Sequence, residues 1–503
     1  MKGNKMNRRD FIDTAVAATA GVAASGLMPV LGSSMGEKVL ENTVKCDQQN
    51  QPVRVSTVNP NYFEYSSGEP YIPIGPNICF ERYETDEEKV LQLYDRRFRN
   101  LSENRGNYTR IWLSAPFFEV EHTKAFTYDE AVARRIDRIL EMAGKYGIKV
   151  KFCFENFRKL TGYPAPIFGS VPFEKPIYAV ENGGPLETMD DYFNTREGRE
   201  LFTGKIRYFA DRYADHPAVF GWELWNEINA VSVSDPQITL RWTVDMLPIV
   251  KSAFPNHLVM QSLGSFDSRS YIEGMYRPYM TIPTNEVAQV HRYLDPGASW
   301  EICQAPMDLL AGNAVGEIRK LVTGKPVVLS EVGAVERGHS GPSKLYDLDT
   351  LGILLHDLLF APFFSGAAGP GQSWHWQLYI EKNDLWWHFH RFANAVEGIN
   401  PITENYSPFF LLFDNVRIYG LKGETNTLIW CRDMLSNWQT ELIEQRVPDN
   451  RNIVLPLSQL NPPHHINTIR FYDPWKDLWV TTKSEDTLSF DLNRSIVIRL
   501  ENK

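Results

Sequence analysis

Between about residues 53 and 400 the chain alternates two patterns of apolar and polar positions. Short apolar runs rich in β-branched and aromatic residues predict strands over eight segments: Tyr71–Phe80, Tyr108–Leu113, Ile148–Phe154, Val219–Asn226, Leu258–Leu263, Val287–Tyr293, Pro326–Val332 and Phe364–Trp376. Longer segments with apolar residues at three- and four-residue spacing lie between them and predict helices over Asp86–Asn104, Tyr128–Tyr146, Arg196–Asp215, Ile238–Phe254, Ala305–Thr323 and Tyr346–Leu359. In the second of these, Ala133, Ile136, Ile139, Leu140 and Ala143 form one face, with Arg134, Arg135, Asp137, Arg138 and Glu141 on the other. Gly144 and Gly147 then punctuate its end. Eight strands alternating with helices over this length give an α/β fold, and the arrangement that fits is a (β/α)8 TIM barrel over 53–400; a doubly wound parallel sheet is the structural rival.

Two stretches break the alternation. Leu160 to Asp191 is rich in Pro, Gly and aromatics without helical period and follows the third strand on the side where barrel active sites lie, so it is read as a substrate-shaping loop. Beyond Pro401 short alternating strands separated by turn clusters predict a small antiparallel, β-sandwich-like domain over 401–503, with Trp438, Trp475 and Trp479 packing against the barrel rather than forming a sugar platform.

Composition narrows the function classes. Of 503 residues, 43% are hydrophobic and 13% aromatic, which suits a large packed core, and a net charge of -10 without basic blocks speaks against nucleic acid as a partner. The first 35 residues differ from the rest: Asn7-Arg8-Arg9-Asp10-Phe11-Ile12 precedes an Ala/Gly/Val-rich stretch, the pattern of a twin-arginine export signal, followed by a polar linker over 36–52. The expected location is therefore periplasmic or extracellular, with no stable transmembrane span in the mature protein. Five scattered cysteines form neither a disulfide framework nor a close-spaced metal site. Nothing in the pattern points to an oligomeric state.

Two segments carry chemistry. Phe220-Gly221-Trp222-Glu223-Leu224-Trp225-Asn226-Glu227 is an apolar run ending in an acid at the carboxyl end of the fourth candidate strand, and Pro326-Val327-Val328-Leu329-Ser330-Glu331 repeats this on the seventh. Carboxyl ends of barrel strands open on one shared mouth. Cleaving a glycosidic bond with retention needs a protonated and an ionised carboxyl there, and Glu227 and Glu331 meet that need. Glu155 and Glu223 are rival acids; Glu223 lies roughly 13 Å deeper along an extended strand and is read as structural.

Trp225-Asn226-Glu227 together with Leu329-Ser330-Glu331-Val332-Gly333 resembles the clan A retaining β-glycosidases, in particular the cellulase- and mannanase-like enzymes of family five, over roughly Tyr71 to Ile399. The resemblance implies acid/base Glu227 after Asn226, and nucleophile Glu331. It implies Arg110 as the early-strand arginine that keeps the nucleophile ionised, His291 and Tyr293 as the strand-six pair, and Trp374 or Trp376 as the aromatic floor under the sugar. Where such enzymes carry a His near the end of strand three, this chain has Phe154-Glu155-Asn156, so that contact to the sugar is either altered or supplied by Asn156. The implied reaction is double displacement on a poly- or oligosaccharide, needing neither metal nor organic cofactor, with the negative nucleophile raising the pKa of Glu227. The alternatives are a carbohydrate-binding barrel without catalysis and a transglycosylase of the same clan.

Overall fold

The structure is a computed structural model that describes residues 50–156, 158–160 and 176–502. The export signal, the linker before residue 50, and residues 161–175 of the long insertion lie outside the described residues. Among the described residues no helix is long and apolar enough to cross a membrane.

A three-stranded antiparallel sheet comes first: β1 (Val53–Val55), β2 (Phe63–Tyr65) and β3 (Pro70–Tyr71). Phe63 and Tyr71 pack on Phe220 at ring separations of 5.3 and 5.9 Å. Phe220 is the second residue of its strand, so this small sheet covers the amino-terminal end of the barrel. The opposite, carboxyl end is left open for chemistry.

The barrel strands β4 (Tyr108–Trp112), β5 (Lys149–Asn156), β6 (Val219–Asn226) and β7 (Leu258–Met260) pair in parallel in that order, and β8 (Ala288–Leu294) pairs in parallel with β9 (Val327–Ala334). Every residue of these six strands is buried, which is why they read as apolar runs rather than alternating ones. The first and last staves of the (β/α)8 barrel are irregular. Beyond Tyr71 the first stave is bridged to Arg110 through Asn77 and the last stave to Val332 through Ser373, and the Asn77 backbone amide joins the two by donating to the Ser373 carbonyl at 2.9 Å. The Asn77 side-chain amide stitches the gap by donating to the carbonyls of Ser330, Gln372 and Ser373 at 3.1, 3.1 and 3.2 Å.

The last predicted strand and helix need correction. Phe364 belongs not to a strand but to the helix Ile353–Phe364, and the expected helix over Tyr346–Leu359 is two pieces, Leu345–Leu348 and Ile353–Phe364. Gly352 at φ 74 separates them, and Asp349 caps the second by accepting from the amides of Ile353 and Leu354 at 2.8 and 2.9 Å. All twelve residues of that helix are buried, because the barrel covers one side and the carboxyl-terminal sheet the other. A helix buried all round has no polar face to reveal its period. The helix Glu130–Tyr146, by contrast, buries the expected face and ends on Gly147 at φ 69, with Gly144 still inside it.

The carboxyl-terminal strands are β10 (Ser407–Phe413), β11 (Val416–Lys422), β12 (Asn426–Asp433), β13 (Arg451–Pro456), β14 (Thr468–Asp473), β15 (Leu478–Lys483), β16 (Thr487–Leu492) and β17 (Ser495–Glu501). Six form an antiparallel sheet in the order β10-β11-β12-β17-β14-β15, and β13 with β16 forms a ribbon over one face around Ile418, Ile453, Leu455 and Leu488. The other face, through Tyr419, Trp430 and Val497, joins the barrel's own core. Buried ion pairs pin this seam: Asp308 on the helix Met307–Leu321 accepts from Arg417 Nη2 and Tyr419 Oη, both at 2.9 Å, and Arg432 pairs with Asp357 at 2.7 Å. Trp438 donates to the Ala305 carbonyl at 3.1 Å, while Trp475 and Trp479 pack against the same core.

Candidate active site

Glu227 and Glu331 reach one cavity of about 670 Å³ at the carboxyl ends of the strands. β6 ends at Asn226, and Glu227 turns the chain out of the strand in a left-handed conformation (φ 52, ψ 53) that a non-glycine residue adopts only at a conformational cost. Its amide donates to Ser262 Oγ at 3.1 Å, which ties the turn to the end of β7. Glu331 sits inside β9, three residues before the strand ends at Ala334, directly opposite His291 of β8.

One oxygen of each carboxyl group and the His291 ring nitrogen lie within 4.8 Å of one another. Carboxyl pairs that act by retention stand about 5 to 5.5 Å apart, against about 6.5 to 9.5 Å for inversion. His291 Nδ1 is 2.7 Å from Glu227 Oε1 and 3.4 Å from Glu331 Oε2. Tyr293 Oη donates to Glu331 Oε2 at 2.8 Å, and Arg110 Nη1 donates to Glu331 Oε1 at 2.5 Å. The three groups Glu227, His291 and Glu331 would also form a small donor set for a cation, but each is already engaged with a side-chain partner.

Beneath the pair lies a second layer of charge. Arg110 Nη2 donates to Glu223 Oε1 at 2.6 Å and to Asn226 Oδ1 at 2.7 Å, and Lys151 Nζ stands 2.9 Å from Glu223 Oε2. Burial alone would raise the Glu223 carboxyl, but Arg110 and Lys151 outweigh it and hold the group down at about 2. Glu223 is thus a fixed anion that anchors Arg110. Burial pushes Glu227 the other way, up to about 7, with Glu223 and Asp267 adding to the rise and His339 and Arg110 opposing it. The rise expected from the nucleophile's charge is therefore chiefly an effect of burial. Burial also lowers His291 to about 4, so its ring is neutral at pH 7.

The wall of the cavity differs from expectation in who stands on it. Asn226, Glu227, Tyr293, Glu331, Trp374 and Trp376 line it. Both tryptophans do so: Trp374 packs on Trp112 at 5.0 Å and Trp376 on Phe80 at 5.2 Å, with the two indoles perpendicular. Arg110 and His291 are wholly buried behind the carboxyl groups and touch those, not the cavity. Asn156 is likewise off the wall, because its Oδ1 accepts from Ser114 Oγ at 2.7 Å. Glu155, the rival acid, is buried between Arg158 and Lys205 at 2.7 and 2.8 Å. The described end of the long insertion also turns inward: Tyr178 donates to Glu121 at 2.5 Å and packs on Tyr192 of the helix Met189–Asn194, which in turn lies edge-on to Trp225.

Sequence reasoning missed Asp267, Tyr271 and His339, all on the wall, and Asp295, which holds His339 through its ring nitrogen at 2.9 Å. His339 lies a few residues past β9, and the position just after a barrel strand was the signal that could have found it.

The sequence model of the Cellulase (glycosyl hydrolase family 5) family matches residues 98–348, a span that holds Arg110, Glu227, His291, Tyr293 and Glu331. The chain is 23% identical over 358 residues to mannan endo-1,4-beta-mannosidase 4 of Oryza sativa subsp. japonica, covering 65% of this chain and 71% of that one. It is 25% identical over 242 residues to mannan endo-1,4-beta-mannosidase 3 of Solanum lycopersicum, covering 44% and 58%. A solved structure of a glycoside hydrolase family 5 protein from Bacteroides vulgatus superposes with a TM-score of 0.60 at 12% identity, covering 90% of this chain and 94% of that one, which is a likeness of fold.

Proposed function

The chain belongs to the clan A glycoside hydrolases of the cellulase and mannanase kind, which retain the anomeric configuration, and on that premise we propose that it cleaves a β-1,4-linked mannan or related glycan with Glu331 as nucleophile and Glu227 as acid/base. The observation that carries this is the convergence of the two carboxyl groups, within 4.8 Å, on a cavity floored by two tryptophans. In the first step Glu331 forms a bond to the anomeric carbon while Glu227 gives its proton to the departing glycosidic oxygen. In the second, Glu227 takes a proton from water as the water's oxygen displaces Glu331 from that carbon. Arg110 and Tyr293 support the role of Glu331 by donating to its two oxygens, at 2.5 and 2.8 Å, so that it is held in place for attack. A neutral-range Glu227 suits a group that must both give and take a proton near pH 7.

Mannan as substrate class is supported by the names of the relatives above. The tryptophan faces are suited to the apolar face of a hexose ring. The test is Glu331→Gly with a 2,4-dinitrophenyl β-mannoside: turnover should be lost, and azide should restore it as the glycosyl azide of opposite anomeric configuration. Undiminished turnover without azide would remove Glu331 from the mechanism. Comparing chain lengths released from β-1,4-mannan and β-1,4-glucan, with and without acceptor sugars, tests substrate and separates hydrolysis from transfer.

A further inference from the structure

The loop after β9 is folded around a single carboxylate from the neighbouring strand's end. It leaves at Val335, bridges back at Pro342, and is closed by the amide of Glu336 donating to the Gly341 carbonyl at 2.9 Å. At its turn two consecutive residues are left-handed, Gly338 at φ 69 and His339 at φ 56. Glycine takes that conformation freely, whereas a histidine does so against the repulsion of its Cβ.

Asp295, just past β8 and 2% exposed, holds this turn. Its Oδ1 accepts from the amides of Gly297 at 2.6 Å and Gly338 at 3.1 Å, and its Oδ2 accepts from His339 Nδ1 at 2.9 Å. The ring is thereby set edge-on to Tyr293, 5.1 Å between centroids, on the wall of the cavity that Glu227 and Glu331 share. His339 Nε2 is buried and has no partner among the described residues. A strained backbone and an unpaired buried nitrogen in one residue have no structural benefit, since Asp295 already fastens the loop through Gly338.

We infer that His339, oriented by Asp295, is a substrate-binding residue whose Nε2 meets a ring hydroxyl of the sugar adjoining the cleaved bond. With Nδ1 engaged by a carboxylate, Nε2 accepts a hydrogen bond from a sugar hydroxyl when the ring is neutral and donates one when it is charged. The assignment rests on the hydrolase reading above and deepens it. His339 shares the cavity wall with Glu227, Asp267, Tyr293 and His375; Glu227 and Asp267 interact with it electrostatically, and among the described residues none hydrogen-bonds to that nitrogen.

The experiment compares wild type, His339→Ala and His339→Gln on 2,4-dinitrophenyl β-mannoside and its 2-, 3- and 6-deoxy analogues, with thermal unfolding as the folding control. Wild type should lose roughly tenfold in kcat/KM on one deoxy analogue. His339→Ala should lose a similar factor on the parent and show no further loss on that analogue, and His339→Gln should recover part of it. A His339→Ala enzyme within twofold of wild type on the parent overturns the inference. So does a loss on the parent with every deoxy penalty unchanged, since the histidine would then act only through its loop. Absence of wild-type turnover on mannosides, glucosides, mannan and glucan alike would instead remove the hydrolase reading on which the inference rests.

Discussion

Replacing Glu227 by glutamine should make the protein more stable, and by an amount that depends on pH. The carboxyl group sits 14% exposed among Asn226, His291 and the cavity wall, and burial carries it from an ordinary 4.5 to about 7. A folded-state value above the unfolded one means that the folded protein binds this proton more tightly. The resulting stability is present in full below about pH 4.5 and is lost as pH rises to about 7. At about 1.4 kcal/mol for each pH unit the loss approaches 3 kcal/mol. Glutamine keeps the shape and hydrogen-bonding capacity but has no ionised form to desolvate. Spread over a folded unit of this size, with an unfolding entropy of roughly 1 kcal/mol per kelvin, 3 kcal/mol corresponds to about 3 °C in Tm. Thermal unfolding of wild type and Glu227→Gln, followed by circular dichroism at pH 4.5, 6 and 8, should show curves that nearly coincide at the lowest pH and separate in favour of the variant as pH rises. A separation that stays constant across this range would refute the reasoning, because it would mean that glutamine acts through packing rather than through the removed charge. The same group should govern activity: kcat/KM on mannan should fall above about pH 7 as the acid form of Glu227 disappears, and the variant should lack that limb on a dinitrophenyl glycoside, whose leaving group needs no proton.

Two further outcomes test the supports of the site and the fold. Tyr293→Phe removes the 2.8 Å hydrogen bond to Glu331 Oε2 and should lower kcat/KM roughly ten- to hundredfold with Tm nearly unchanged; steady-state kinetics equal to wild type would show that the hydroxyl is dispensable. Asp308→Ala leaves Arg417 buried without its partner and should cost about 3 to 5 kcal/mol in urea unfolding. Because barrel and sheet share one core, the loss should appear in a single transition rather than in a separately melting sheet.

Much of this protein is legible in its order of residues, and the reasons are local. Six barrel strands show as apolar runs because both of their faces are buried, and the helix Glu130–Tyr146 shows its period because one side meets water. Glu227 and Glu331 stand out because a charged residue ending an apolar run is conspicuous, and barrel geometry sends such ends to one mouth. The illegible parts are those where a residue's state depends on partners distant in sequence. The last stave's boundary was hidden by the helix Ile353–Phe364, whose polar side was erased by a sheet formed some 50 to 140 residues later. Arg110 and His291 could be named from the pattern, but only folding puts them behind the carboxyl groups rather than on the wall, and only folding takes Asn156 away with Ser114. Asp295 and His339 are 44 positions apart and become a pair only when β8 and β9 lie side by side. The identity of the two acids was therefore determined by sequence. Their surroundings were decided by tertiary structure, because the burial that raises Glu227 and the placement of Arg110 and Tyr293 against Glu331 are properties of the packed barrel and of no single segment.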